Sequence, residues 1–166
     1  MKDKNNEIDV LKLSNELTIR RYLFNKEQIS RVLSAPDYIA LNIIRETETN
    51  EQIYSGRTYL KDLAEKMQLS MRQISKMIGN LKERGLVVWS HDGNGSEGTY
   101  VTITESGQQL LTQQQKILEE YYGNVIDKFG KDNLIQLLNL MKQLETVMSS
   151  EVERMGVPKE DDRTIE

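Results

Sequence analysis

Ser70, Arg72, Gln73, Ser75 and Lys76 place two hydroxyls, one amide and two cations within seven consecutive residues. Side chains of these types read nucleic acid. Arginine forks onto O6 and N7 of guanine, glutamine brackets N6 and N7 of adenine, and lysine and serine hold phosphates or bases. Taken alone, Arg72 and Lys76 are also what any solvated helix face shows, so the surrounding elements must decide. Other chemistry is scarce. The chain has no cysteine, which removes disulfides, thiol nucleophiles and thiolate metal sites. Its one histidine, His91, has no clustered ligands around it and reads as a loop-edge residue. There is no phosphate loop, catalytic dyad or metal set, so the expectation is a non-enzyme with no catalytic residues, no metal and no cofactor.

The elements around the polar cluster give it a direction. Ser70 and Gln73 form the S-x-x-Q pattern of a capping box, which starts a helix whose apolar positions are Ile74, Met77, Ile78 and Leu81. Arg84-Gly85 supplies a basic last turn and a left-handed stop. With the apolar set turned inward, Arg72, Ser75 and Lys76 project outward. Gln73 has two readings of equal weight, as a cap and as a base reader. Upstream, Thr58 reads as the N-cap of a helix through Met67 with Leu60, Leu63, Ala64 and Met67 on its apolar stripe, and only Gln68-Leu69 separates it from Ser70. Downstream, Leu86–Ser90 and Tyr100–Ile103 read as strands joined by the glycine-rich loop Asp92–Gly98, which makes a β-hairpin. A helix, a tight turn, a capped helix and a hairpin together present one helix for insertion into a major groove. Arg57, Lys61 and Lys82 read equally well as DNA contacts or as plain surface.

The remainder is long helix. Apolar positions from Ile8 to Leu33 recur near helical spacing. Ser34-Ala35-Pro36-Asp37 then reads as a stop and restart, and the next helix fades between Glu46 and Gln52. Ile53–Tyr59 reads as a short extended piece. Beyond the hairpin, one helix carries Leu110, Ile117, Leu118, Tyr121, Val125 and Phe129, Gly130 breaks it, and a second carries apolar residues from Leu134 to Met155. The glutamines between Gln108 and Gln115 fit a solvated face. Met67, Met77, Met141, Met148 and Met155 fit core packing, and Tyr121-Tyr122 fits a dimer core better than a ligand cavity.

The chain has 166 residues, 37% apolar and 29% charged, enough for one core. Mean hydropathy is −0.59. No apolar run exceeds four residues and the first residues, MKDKNNEID, have no apolar stretch, so neither a membrane span nor a secretory signal is expected and the expected compartment is the cytoplasm. The net charge of −4 is unevenly spread. Residues 57–91 hold seven basic and three acidic side chains, a basic island in an acidic protein.

The stretch from Leu60 to Gly107 resembles the winged helix-turn-helix core of the MarR family of bacterial transcription regulators. Asp62-Leu63-Ala64 is similar to that family's acidic-Leu-Ala signature. Ser70, Ser75-Lys76, Leu81 and Gly85-Leu86-Val87 fall where its recognition helix has a serine, a Thr-Arg pair, a leucine and a Gly-Leu-Val. Ile103-Thr104-Glu105-Ser106-Gly107 resembles the Leu-Thr-x-x-Gly that closes the wing. One departure stands out. Where the family carries an Asp-x-Arg wing, this chain has Gly95, Ser96 and Glu97, which leaves His91, Asn94 and Ser96 as the wing's polar contacts, and Trp89 stands where a basic residue is common.

The expected fold is mainly α, a winged helix-turn-helix with long N- and C-terminal dimerisation helices and a small β-hairpin wing. Residues 1–34 form the N-terminal dimerisation helix, 35–104 the DNA-binding domain, 105–156 the C-terminal dimerisation helices and 157–166 a flexible tail. The expected function is regulation of transcription by a homodimer bound to double-stranded DNA at a pseudo-palindromic operator, through Arg57, Ser70, Arg72, Gln73, Ser75, Lys76, His91, Asn94 and Ser96. The resemblance implies a repressor released by a small phenolic or lipophilic effector bound between the dimer helices and the DNA-binding lobe. The competing reading is a winged-helix protein-interaction module, motivated by the arginine-free wing and the negative net charge.

Overall fold

Three hydroxyl side chains start three of the helices. Ser34, Ser70 and Thr104 each accept a hydrogen bond from the backbone N–H three residues on, at 3.3, 3.1 and 3.0 Å, which satisfies one of the free donors of each first turn. The computed structural model describes residues 4–26, 29, 31–50, 56–93 and 98–156. They fall into two units, Met1–Arg31 and Val32–Glu166.

The first unit is one helix, α1, Lys4–Asn25. Its end at Asn25 is earlier than the Ile8–Leu33 periodicity predicts, because Leu33 is buried in the core of the second unit. Within its own unit α1 exposes Val10, Leu13, Leu17 and Phe24 along one side and Leu11, Ile19 and Tyr22 along another. A helix that is apolar on two sides is built to be covered on both.

The second unit runs α2 (Ala35–Thr49), β1 (Thr58–Tyr59), α3 (Leu60–Met67), α4 (Met71–Glu83), β2 (Val87–His91), β3 (Thr99–Ile103), α5 (Glu105–Phe129) and α6 (Lys131–Met155). Pro36 lies in the first turn of α2, where its missing N–H costs nothing. The hairpin forms as expected, with Val87 opposite Ile103 and His91 opposite Thr99. The sheet gains a third strand, because the short β1 pairs with β3 through Thr58–Val101 and Tyr59–Tyr100. This pairing corrects the reading of Thr58. It is a buried strand residue, and α3 is capped at Tyr59 without a side-chain bond. Gln68, in the left-handed region at φ 53°, ends α3 and folds the chain into the tight turn ahead of Ser70.

Leu41, Ile44, Leu63, Ile74, Ile78, Leu81, Val101 and Leu111 are fully buried and form the centre of one core shared by α2, α3, α4, the sheet and the start of α5. The last junction is rigid. The Thr104 hydroxyl donates to the Gly85 carbonyl at 2.7 Å, and the Thr104 N–H donates to the Leu86 carbonyl at 3.0 Å. A Cβ on Gly107 would lie 2.3 Å from that same Leu86 oxygen, so α5 approaches the end of α4 more closely than any other residue permits. The Gly-Leu-Val and Thr-x-x-Gly motifs are therefore two halves of one joint.

Two expectations for α5 are corrected. Leu111 takes the fully buried position and Leu110 only a half-buried one. The glutamine run is not uniformly solvated. Gln114 is completely buried, its Oε1 accepting from the N–H groups of Val32 and Leu33 at 2.7 and 3.3 Å. Arg45 donates to Gln115 and, at 3.3 Å, to Thr112, while Gln115 donates to Asn42 at 3.2 Å. Polar bonds thus tie α2 to α5. No residue of α6 is buried. Met141, Met148 and Met155, expected in a core, are exposed along it with Leu137, Leu144 and Val152.

Candidate nucleic-acid interface

The capping box forms in full. The Ser70 N–H donates to Gln73 Oε1 at 3.0 Å, and the Gln73 N–H donates to Ser70 Oγ at 3.1 Å. Of the two readings of Gln73, the capping role is the one made. The cap fixes the phase of α4, which buries Ile74, Ile78 and Leu81 and half-buries Met77. Arg72 and Lys76 consequently stand exposed on the opposite side, with Ser75 half-buried beside them. Neither Arg72 nor Lys76 has an ion-pair partner among the described residues. Arg84, at the helix end, is instead bound to Asp37 at 3.3 Å.

Arg57 immediately precedes β1 and His91 is the last residue of β2, so neither belongs to α4. The Arg57 guanidinium sits over the Tyr100 ring, 4.6 Å from its centroid. A hydrogen bond with Tyr59, and then the neighbouring Tyr100, raise its pKa above the ordinary arginine value. Tyr59 packs 5.8 Å from Tyr100, centroid to centroid, and its hydroxyl donates to Asp92 Oδ2 at 2.8 Å. Strand pairing puts Tyr59, Tyr100 and Ser90 on the face opposite Val101. Arg57 is therefore stacked on the face of the sheet turned away from the core. His91 closes β2, its Nδ1 accepting from the Gly93 N–H at 2.9 Å, which in the neutral ring leaves the proton on Nε2. Asn94 and Ser96 lie outside the described residues, as do Gly95 and Glu97.

Trp89 pairs with the buried Val101 and so lies on the core side of the sheet. Lys82 of α4 caps its ring at 5.5 Å. The pair closes the edge of the core between helix and hairpin.

Sequence reasoning missed three polar contacts. Glu48 Oε1 accepts from the Ile103 N–H at 2.8 Å, on β3 beyond the end of the two-residue β1. Burial raises the Glu48 pKa despite this bond. The Arg57–Tyr100 stack and the Gln114 clamp are the others. A Leu111-to-Gln114 stripe, one position over from Leu110 and Ile117, was the available sign of the clamp. An open cleft of about 390 Å³ between α2, β1 and α3 is lined by Ile43, Thr47, Thr58 and Leu63, with Arg57, Asp62, Glu65 and Lys66 around it. The Thr58 hydroxyl is buried with no hydrogen-bond partner among the described residues. The described residues contain no cluster of three metal-ligating side chains and no helix long and apolar enough to cross a membrane.

No protein-family model matches the chain. Over 106 residues it is 27% identical to the HTH-type transcriptional regulator SgrR of Yersinia enterocolitica, covering 62% of this chain and 18% of that protein. The chain thus spans under a fifth of the length of that curated relative. Solved structures agree over much more of the chain. The PcaV transcriptional regulator of Streptomyces coelicolor, in complex with its natural ligand, superposes with a TM-score of 0.62 at 16% identity, over 81% of this chain and 89% of that one. BpsR of Bordetella bronchiseptica, whose DNA binding is regulated by 6-hydroxynicotinic acid, gives 0.59 at 19% identity over 82% and 98%. A MarR-family regulator from Rhodococcus sp. RHA1 gives 0.58 at 21% identity over 87% and 96%. With these superpositions and its own succession of helix, turn, capped helix and hairpin, the chain has the winged helix-turn-helix fold of the MarR-family transcriptional regulators.

Proposed function

We propose that the protein is a sequence-specific DNA-binding regulator of transcription, not an enzyme, and that it acts in the cytoplasm as a homodimer. The observation that carries this reading is the outward face of α4, where Arg72, Ser75 and Lys76 stand opposite a buried apolar stripe, behind a complete capping box. Such a helix fits the width of the major groove and offers its N-terminal half to base edges. Arg72 reads bases, Lys76 and Ser75 hold the backbone, and Ser70 and Gln73 fix the helix start. Arg57, stacked on Tyr100, and His91, at the loop end of β2, add contacts from the sheet, and Arg57 supplies a cation to a wing that lacks its own arginine.

Dimerisation follows from what one chain leaves uncovered. The two apolar sides of α1 and the apolar stripe of α6 are left exposed by the described residues of their own units, and a second copy supplies matching surface. In this arrangement residues 1–34 and 105–156 form the dimer and residues 35–104 each hold one half-site, about 34 Å apart along a pseudo-palindromic operator. The ligand-bound PcaV and the regulation of BpsR by 6-hydroxynicotinic acid support a small aromatic or lipophilic effector that favours one spacing of the two recognition helices over another.

Selection of genomic fragments with the purified protein, followed by titration of the recovered DNA across salt concentrations, tests the reading. A pseudo-palindromic consensus with steeply salt-dependent affinity is expected. Recovery of no consensus, with a salt-insensitive protein partner instead, refutes it in favour of an interaction module.

A further inference from the structure

Gly79 has no reason to be glycine inside the protein itself. It lies in the interior of α4, where glycine is the least favourable residue after proline. A Cβ added there would meet no atom within 4 Å, and its φ is not in the left-handed region. Other glycines show what an internal demand looks like. Gly107 would clash with a backbone oxygen, and Gly85 sits at φ +75° to end the helix.

Its position supplies the missing reason. Steps of 100° per residue align Arg72, Lys76, Gly79 and Glu83 along the outward stripe of α4, opposite Ile74, Ile78 and Leu81. Gly79 lies about 10 Å along the axis from Arg72, two turns beyond the first cation. Glu83, the next residue on the stripe, is acidic and repels phosphate, so the contact ends before it. Resting on the DNA-binding reading above, we infer that Gly79 is the point of closest approach between the recognition helix and DNA. The sugar–phosphate wall of the major groove passes directly over its bare Cα. A side chain at this position holds the whole helix off the groove, and Arg72 and Lys76 lose their reach together.

The test compares Gly79→Ala with Gly123→Ala in the full chain, on the fragment recovered by genomic selection. Gly123 is an equally open glycine in the interior of α5. Both substitutions are expected to raise Tm by about 2–4 °C, because alanine is the better helix former. Gly79→Ala is expected to weaken DNA binding about tenfold or more, while Gly123→Ala stays within about twofold of wild type. A Gly79→Ala protein that binds DNA as tightly as wild type overturns the inference, as does one that loses Tm and affinity together. Wild-type protein that recovers no DNA overturns the regulator reading and takes this inference with it, so the wild-type control separates the two failures.

Discussion

Lys76→Ala removes a cation from the outward face of α4 and leaves the core untouched, since Lys76 is exposed and has no ion-pair partner among the described residues. If Arg57 and Lys76 of each protomer neutralise one phosphate apiece, the homodimer releases counterions from about four phosphates. The logarithm of affinity then falls with the logarithm of salt with a slope of about −3.6. Without Lys76 the dimer reaches about two phosphates and the slope becomes about −1.8. Between 50 and 200 mM salt, wild-type affinity therefore drops by about 150-fold and that of the variant by about 12-fold. Fluorescence anisotropy on the selected operator and on a scrambled duplex of the same length, at four or more salt concentrations, measures both slopes. Because phosphate contacts are blind to sequence, Lys76→Ala should lower affinity on the two duplexes equally. Arg72→Ala should instead reduce the preference for operator over scrambled DNA by about tenfold. A wild-type slope retained by Lys76→Ala, or a loss confined to the operator, would refute the assignment of Lys76 to the backbone.

Three further outcomes are expected. Gln114→Ala leaves the N–H groups of Val32 and Leu33 without their acceptor and opens a buried space, so urea unfolding should show a loss of about 2–4 kcal/mol, with faster amide exchange at those two residues. Glu48→Gln keeps an acceptor for the Ile103 N–H but cannot ionise. The folded-state pKa of Glu48 is raised, so the stability it lends is full below the ordinary value of 4.5 and is lost as pH climbs through the raised value. The variant should match wild type in urea melts at pH 4 and exceed it at pH 7; a constant difference would contradict the burial argument. Leu144→Glu introduces charge into the stripe of α6 that the described residues of its own unit leave exposed. Sedimentation should find a monomer with helical content retained, and an unchanged dimer would place the interface elsewhere.

What was legible in the sequence was local. The Ser70–Gln73 box, the Gly85 stop and the hairpin each lie within one short stretch of chain, and each formed in the expected place. Pairings across distance were not legible. Thr58 has the composition of an N-cap, and only β3, some forty residues later, makes it a buried strand residue. Arg57 cannot be placed on Tyr100 before that pairing is known. Gln114 was hidden for a different reason. In a run of glutamines the buried one carries no mark, and a shift of the apolar stripe from Leu110 to Leu111 turns a solvated face into a clamp. The methionines of α6 show that periodicity tells which side of a helix wants cover and nothing of which molecule provides it.

The joint at Thr104, Gly85 and Leu86 leaves no slack between α5 and the end of α4. The two helices must turn as one piece, a lever with α4 fixed to its short end. Twenty-five residues of α5 make an arm of about 37 Å, so a tilt of about 5° at its far end shifts the near end by about 3 Å. That is close to the rise of one base pair, about 3.4 Å. In the DNA-bound homodimer proposed above, a wedge no larger than a small aromatic ring, slipped among the distant helices, is thus mechanically sufficient to put the two α4 helices out of step with the double helix.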